Sequence, residues 1–439
     1  MAQTKVLKIE ESCMDFLFSK LHGWGKRFAV QPKTIYSEVP WPTGDFMENV
    51  ETIVKEKCYG CRACGGVCKT DAISFRENEE GFLYPQVNPE KCTSCGSCLR
   101  VCPAEHPGQG QMPLESYCAV ASDEALYQKS ASGGIFAAMA EAFLKNGGVV
   151  VGAAMGDDVV VRHICIETPE ELHKLQGSKY VQSDMGDCIP RISAYLKSGR
   201  KVLFCGTSCQ VAGVLNAIRR QPRLEEHLYT INLVCHGVPS PRFLREHIRH
   251  TYGDVRHVAF RHRTWSEFSK YAIPTNRDVY YSCFSSGVSL RECCYRCAFA
   301  QAARVGDITL GDCGSFARYE EKLSCYKSLS MAALHTEKGA ELFHSTPGIE
   351  KVEMDYQAEC ACNQPLSRPT RRPKERDTFY KVYFAAEKPK KRDLKPYLFH
   401  GTPKAKLKAA ICTVTPHRLR KNAKRLLKKR KNQHSGDVR

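Results

Sequence analysis

Eight cysteines near the start of the chain stand at intervals that suit one kind of chemistry. Cys58, Cys61, Cys64 and Cys68 follow the spacing C-x2-C-x2-C-x3-C, and Cys92, Cys95, Cys98 and Cys102 repeat it 34 residues later, with Pro103 after the last. Three thiolates at two-residue gaps let one loop cover three corners of an iron–sulfur cubane. The fourth, on the turn that follows, points away and reaches the neighbouring cubane. The spacing therefore assigns Cys58, Cys61, Cys64 and Cys102 to one [4Fe–4S] cluster and Cys92, Cys95, Cys98 and Cys68 to a second. Gly60, Gly65, Gly66, Gly96 and Ser97 are small enough to let backbone N–H groups approach sulfide. Zinc sites favour two C-x-x-C pairs set well apart, not three cysteines within seven residues twice over.

A second group of cysteines is more scattered: Cys209 in GTSC, Cys235 in LVCHGVPS, and Cys293, Cys294 and Cys297 in CCYRC. Four of these thiolates suffice for one further cubane if the fold gathers three loops. Buried structural thiols are the competing explanation, and Cys293 and Cys294 are rivals for one position. Cys360-Ala361-Cys362 has chelating spacing but no partner pair. Neither G-x-G-x-x-G nor G-x-x-x-x-G-K-[ST] occurs, so the chain has no dinucleotide fingerprint and no P-loop.

The elements that must hold these cysteines change character along the chain. Residues 1–50 read as a lead-in arm and 51–108 as the twin-cluster segment, followed by the linker PAEHPGQGQMP (103–113). From Tyr117 the pattern alternates. YCAVAS, VVVGAAM (149–155), KVLFCG (201–206) and LYTINLVC (228–235) predict buried strands, with helices at IFAAMAEAFLKN and CQVAGVLNAIRR between them. Such alternation predicts an α/β domain with a partly parallel sheet. After about residue 250, DVYYSCF, DITLGD and SLSMAALH are further expected strands. The chain turns Pro- and Arg-rich beyond 365.

At 439 residues, two or three domains are expected. Twenty-four cysteines in a chain whose start, MAQTKVLKIEES, lacks the apolar stretch of a signal peptide point to metal or redox chemistry in a reducing compartment. No run approaches the roughly 18 apolar residues of a membrane helix, so the cytoplasm is the expected location. The net charge of +18 is concentrated at one end: from Lys388 to Arg439, 18 Lys or Arg face only Asp393 and Asp437. There HRLRKNAKRLLKKRKN puts Leu419, Ala423, Leu426 and Leu427 at roughly helical spacing, a pattern that suits an anionic membrane surface at its inner face. A solvated tail explains the composition equally simply. The last 30 residues hold no aromatic side chain, which disfavours nucleic acid as a partner.

Five segments carry a family resemblance. FCGTSCQVAGVLNAI, INLVCHGVPSPRFL, CCYRCAFAQAARVGDITLGDCGSF, SASGGIFAAMAEAFL and LQGSKYVQSDMGD resemble the beta subunit of coenzyme F-420 hydrogenase/dehydrogenase. The likeness runs from about 115 to 355, behind a segment that resembles a bacterial 2×[4Fe–4S] ferredoxin. Lys69 departs from the proline usual after the fourth ferredoxin cysteine, a turn-shaping position and not a ligand. The resemblance implies an α+β chain: a ferredoxin-like twin-cluster domain (51–108), then an α/β flavin-binding domain (115–365), then a Pro/Arg-rich linker and basic tail (366–439). It further implies FAD and a third [4Fe–4S] cluster, with Cys209, Cys235, Cys294 and Cys297 as its ligands, the family's C-x-x-C aligning with Cys294–Cys297. Ser208 replaces the proline usual before Cys209, and Cys313 a residue often aromatic.

For the flavin, Ser132, Gly133 and Gly134 precede a helix whose free N–H groups suit a phosphate, and Lys179 is the candidate counter-charge. Alone, SGG would be an ordinary helix cap and Lys179 a surface lysine. His236 is either a proton donor or a structural histidine; Asp307 and Asp312 are turn or hydroxyl contacts. No catalytic residue is assigned. The expected function is an iron–sulfur flavoprotein oxidoreductase. It would pass electrons between ferredoxin-type clusters and FAD, with a redox partner protein or reduced ferredoxin on one side. On the other is an organic substrate or deazaflavin-like coenzyme that the sequence does not name. The alternative is a non-catalytic electron-transfer subunit of a larger redox complex.

Overall fold

The computed structural model describes residues 49–398, apart from 220, 256–257, 261–277, 320–322, 324–325, 327 and 386–388. These residues belong to one unit. The lead-in arm up to 48 and the basic tail from 399 onward, with its amphipathic stretch, lie outside the described residues.

The twin-cluster segment is built around a hairpin. β1 (Ile73–Glu77) and β2 (Leu83–Val87) pair antiparallel, with Ile73 opposite Val87. A four-residue helix carries the third cysteine of each run, Ala63–Gly66 with Cys64 and Ser97–Arg100 with Cys98, and each starts from a residue with positive φ, Arg62 at 57° and Gly96 at 64°. That left-handed step stands between the second and third cysteine of each run, and the fourth follows the helix, Cys68 after Val67 and Cys102 after Val101.

Behind it stands an eight-stranded mixed sheet. Its strands are β3 (Glu115–Ala121), β4 (Val149–Met155), β5 (Val161–Ile166), β6 (Val202–Thr207), β7 (Leu228–Leu233), β8 (Ile308–Asp312), β9 (Ser330–Leu334) and β10 (Ile349–Glu353). Their order is β10-β3-β9-β8-β7-β6-β4-β5. β4, β6, β7 and β8 run parallel; β5 at one edge is antiparallel to them, and on the other side β9, β3 and β10 are each antiparallel to the neighbour before. The central strands are near-continuous apolar runs because both faces are covered. On one face Val149, Val151, Val202 and Phe204 pack with the Cys188–Lys197 and Ser208–Ile218 helices, and this core also takes in Cys61, Ala63 and Val101 of the twin-cluster segment. On the other, Val150, Leu203 and Ile231 pack with the Ile135–Lys145 helix.

Two expectations change. DVYYSCF forms a helix, Val279–Ser286: the Asp278 carboxylate caps Tyr281 N at 3.0 Å and Gly287 closes the end at φ 81°. These local caps override the strand preference of its aromatics. The Pro/Arg-rich stretch after 365 includes the Arg376–Phe384 helix, and its Phe379, Tyr380 and Tyr383 are buried with Phe82 and Phe243. Each buried ring contributes about 2–3 kcal/mol. Arg376 also grips Glu80 at the hairpin turn through two bonds, 2.6 and 2.7 Å. The described part of this stretch thus clamps the twin-cluster segment to the sheet.

Candidate metal centres

The structure places the fourth cysteine of each run near the first three of the other. Cys61 feels burial first and then the sulfurs of Cys102, Cys64 and Cys58, which together push its thiol well up. Burial likewise drives Cys102 up to about 11, with Cys58 adding to the effect. All four are 7–8% exposed. The other set is open to solvent: Cys95 is exposed, and Cys68, Cys92 and Cys98 half-buried. Cys95 is lowered by hydrogen bonds from Ser97; on Cys68 burial is the largest single influence and pushes up, but hydrogen bonds from Ala72 and Thr70 together bring it down. Cys95 is in turn the sulfur that Cys68 senses. Cys102 thus stands with Cys58, Cys61 and Cys64, and Cys68 with Cys95.

The second group gathers at the carboxyl edge of the parallel strands, where open α/β sheets place their ligands. Cys209 opens the Ser208–Ile218 helix directly after β6, and Cys235 lies two residues past β7. Cys294 and Cys297 belong to the short turn at Glu292–Arg296 and its end. Burial raises Cys209, and the sulfurs of Cys297, Cys235 and Cys294 raise it further. Burial takes Cys235 to about 12 and Cys297 to about 11, each with Cys294 as the next cause. Cys294 is lowered, first by the thiol of Cys293 and then, against its burial, by the backbone of Val238. Cys293 is pushed up by burial and next by Cys294, and it also senses Cys209, so it stands beside this set. The structure thus brings Cys209, Cys235, Cys294 and Cys297 together and supplies them with hydrogen bonds, among them Gly237 N to Cys235 Sγ at 3.3 Å and Thr207 Oγ1 against Cys209 Sγ at 3.2 Å. Buried thiols of this kind hold their protons until iron displaces them, so the donor set fits a cluster. Among the described residues no His, Cys, Asp or Glu group converges on a single-ion site; a cubane keeps its four sulfurs further apart than one ion does.

A buried polar network fixes this corner. Asn232, 0% exposed, donates to Val305 O (2.8 Å) and Ile308 O (3.0 Å), and its Oδ1 accepts from Ser208, Thr309 and Arg304. Ser208 is therefore used for its hydroxyl, which explains why a serine can stand before Cys209. Gln210 Oε1 accepts from Thr207 N at 3.0 Å and so sets the start of the helix. None of Asn232, Arg291, Arg304, Gln182 or Tyr59 is evident from spacing. Only the position of Arg291, two residues before Cys293, could have drawn notice.

The two lobes meet where cysteine faces glycine. A Cβ at Gly213, in the helix that begins at Cys209, would lie 3.0 Å from Cys61 Sγ. Gly60 has φ +67°, and a Cβ there would sit 2.2 Å from Gln182 Nε2. Between the lobes Tyr59 stacks edge-on to Phe299 at 5.3 Å, and its hydroxyl accepts from Ala298 N at 3.2 Å.

The predicted flavin residues divide. The Ser132–Gly134 loop is tied to the sheet through Gly133 N to Ser330 Oγ (2.9 Å) and Ser132 Oγ to Leu329 O (3.0 Å), and Ser330 pairs with Asp312 at the end of β8. The Ile135–Lys145 helix starts at Gly134 (φ 82°) with no side-chain cap, so its first turn presents N–H donors at this edge. Lys179 differs from the expectation. Its ammonium donates to Leu175 O and Gln176 O at 2.9 Å and to Lys174 O at 3.4 Å, capping the Pro169–Lys174 turn, and burial lowers it to about 8. His236 stands edge-on to Phe284 at 5.3 Å beside Thr370, and burial lowers its pKa. Asp307 accepts from Thr230 N, Thr230 Oγ1 and Thr336 Oγ1, a strand-tying role. A cavity of about 360 Å³ between Pro107, Ser208 and Arg304 includes none of the flavin candidates.

Comparison with known proteins now adds to this geometry. Residues 57–106 match a 4Fe-4S dicluster domain. Residues 116–189 match the N-terminal domain, and 199–356 the C-terminal domain, of the coenzyme F420 hydrogenase/dehydrogenase beta subunit, together more than half of the chain. The chain belongs to that family. Curated relatives match the dicluster part. A component of the Na(+)-translocating ferredoxin:NAD(+) oxidoreductase complex of Acetobacterium woodii is 50% identical over 46 residues, covering 10% of this chain and 13% of that protein. Ferredoxin-type protein NapF of Escherichia coli is 42% identical over 95 residues, covering 21% and 46%. The chain spans less than half the length of these relatives. A chain of the F420-reducing [NiFe] hydrogenase complex from Methanosarcina barkeri aligns with TM-score 0.40 and 17% identity over 59% of this chain and 92% of that one. The chain is thus an iron–sulfur member of a hydrogenase/dehydrogenase-type redox family. No helix among the described residues is long and apolar enough to cross a membrane.

Proposed function

We propose that the chain is an iron–sulfur flavoprotein oxidoreductase in which three cysteine sets stand in series. Cys92, Cys95, Cys98 and Cys68 form the solvent-facing set, Cys58, Cys61, Cys64 and Cys102 the inner set, and Cys209, Cys235, Cys294 and Cys297 the deepest. The observation that carries the reading is the convergence of the last four from three separate loops, directly behind the Cys61–Gly213 contact. When bound, such clusters pass single electrons, and FAD converts between single electrons and pairs.

The chain's own residues supply position and environment. Asn232 and Ser208 hold the helix that presents Cys209. Val238 and Gly237 direct N–H groups at Cys294 and Cys235. The uncapped start of the Ile135–Lys145 helix, with Ser132, Gly133 and Gly134, suits the FAD pyrophosphate at the same sheet edge. Lys179 secures the neighbouring turn, and its contribution to the flavin would be through that turn. The partner is a reduced ferredoxin or another redox protein meeting the exposed Cys92–Cys95 side, and the substrate is an organic molecule or deazaflavin-like coenzyme. The test is Cys294→Ser in the anaerobically prepared full chain. Iron should fall by about four per chain, from about twelve to about eight. Iron unchanged in that variant would remove the third site.

A second reading, an electron-transfer subunit without catalysis of its own, is favoured by the relatives' names, which describe subunits of larger complexes. It wins if purified protein takes up electrons, turns over no added acceptor, and restores activity to a partner enzyme.

A further inference from the structure

Two arginines are buried beside the deepest cysteine set, and neither has a carboxylate partner among the described residues. Arg291 is 0% and Arg304 3% exposed. Arg291 spends its donors on neutral acceptors: Nε on Cys58 O (2.6 Å), Nη1 on Gln182 Oε1 (2.9 Å) and Nη2 on Leu83 O (2.9 Å). Its guanidinium lies 4.1 Å from the Tyr84 ring centroid and 5.3 Å from that of Phe82. Elsewhere in the molecule the buried Arg376 is paired in the usual way, with Glu80. A buried charge requires a counter-charge. The groups that sense Arg291 are Cys58 of the inner set, Tyr84, and Cys293 and Cys294 beside and within the deepest set; burial acts against its proton, and these neighbours hold it. Arg304 occupies the far side, near Cys297 and Cys235.

We infer that Arg291 is a positioning residue for electron transfer: its fixed positive charge, bonded to Cys58 O and set two residues before the Cys293–Cys294 pair, is the shared counter-charge of the inner and deepest clusters. This rests on the reading of three cysteine sets given above. A cluster held by four thiolates is a net anion, and its reduction adds one more negative charge, so a nearby cation favours the reduced form. One charge placed between two centres raises both potentials together. With clusters in place, Arg291 would favour the reduced form of both without changing the difference between them, and so would draw electrons inward from the exposed set. The exposed set, beyond the inner one, does not share this charge.

The test is a potentiometric titration followed by electron paramagnetic resonance on the full chain, with iron measured on each sample. Arg291→Gln should make reduction of two of the three clusters at least tenfold less favourable, about 59 mV for one electron, and leave the third within threefold of its starting value. Arg291→Lys, which keeps the charge but loses the fork, should hold all three within threefold. Two outcomes overturn the inference: an Arg291→Gln protein with full iron and unmoved midpoints, or an Arg291→Lys protein as altered as Arg291→Gln. If Arg291→Gln does not assemble its iron, Arg291→Lys decides alone. Full iron and wild-type midpoints then support a charge role, and matching iron loss shows a simple clamp. A wild-type chain with only about eight iron atoms would instead remove the three-set reading.

Discussion

The two halves of the twin-cluster segment carry the same cysteine spacing, yet they live in opposite surroundings. Cys61 is sealed against the Ser208–Ile218 helix and Cys58, Cys64 and Cys102 are buried with Val50, Val54 and Leu99, whereas Cys95 is exposed and its neighbours half-buried. Around Cys61 the chain has Gly213 and the sheet core; around Cys95 it has Ser97, Thr93 and the side chain of Arg100, which donates to Cys95 O at 2.8 Å. One spacing therefore stands exposed in one copy and buried in the other, and the distinction comes from packing rather than from the cysteines themselves.

The contrast can be broken most severely at the contact between lobes. Gly213→Leu forces a side chain into Cys61. It should cost about 3 kcal/mol or more in unfolding stability and release roughly four iron atoms, read by denaturant titration and iron assay. Removing the clamp comes next: Arg376→Met leaves Glu80 without its partner and should destabilise by about 3 kcal/mol, with the hairpin becoming the first segment to exchange its amides. The contrast is sharpened by a chelator under mild oxidation. Iron loss should be biphasic, with about a third leaving at least tenfold faster than the rest, because exposed centres are attacked first. At the small end, Arg100→Ala on the outer half should change stability by less than about 1 kcal/mol and leave iron intact. An outer substitution as damaging as Gly213→Leu would erase the distinction.

How much of this could be read from the residues alone varies with the range of the interaction. The ferredoxin cysteines and the strands β3, β4, β6 and β7 were legible because their signals are local, a spacing or an apolar run. The gathering of Cys209, Cys235, Cys294 and Cys297 needed the family resemblance, since the loops that carry them lie up to 88 residues apart in the sequence. Arg291 and Asn232 were illegible for a related reason: their partners, Cys58 and Arg304, are set by the fold. Lys179 looked like an anion ligand, but carbonyls three to five residues before it claim its protons. The Arg376–Phe384 helix was hidden by basic composition, which masked the buried spacing of Phe379, Tyr380 and Tyr383.

The most direct measurement is spin quantitation by electron paramagnetic resonance on the fully reduced full chain, prepared without oxygen. Three occupied sets predict about three spins per chain, with line broadening from mutual coupling. About two spins per chain, and no loss of signal in Cys294→Ser, would contradict the account.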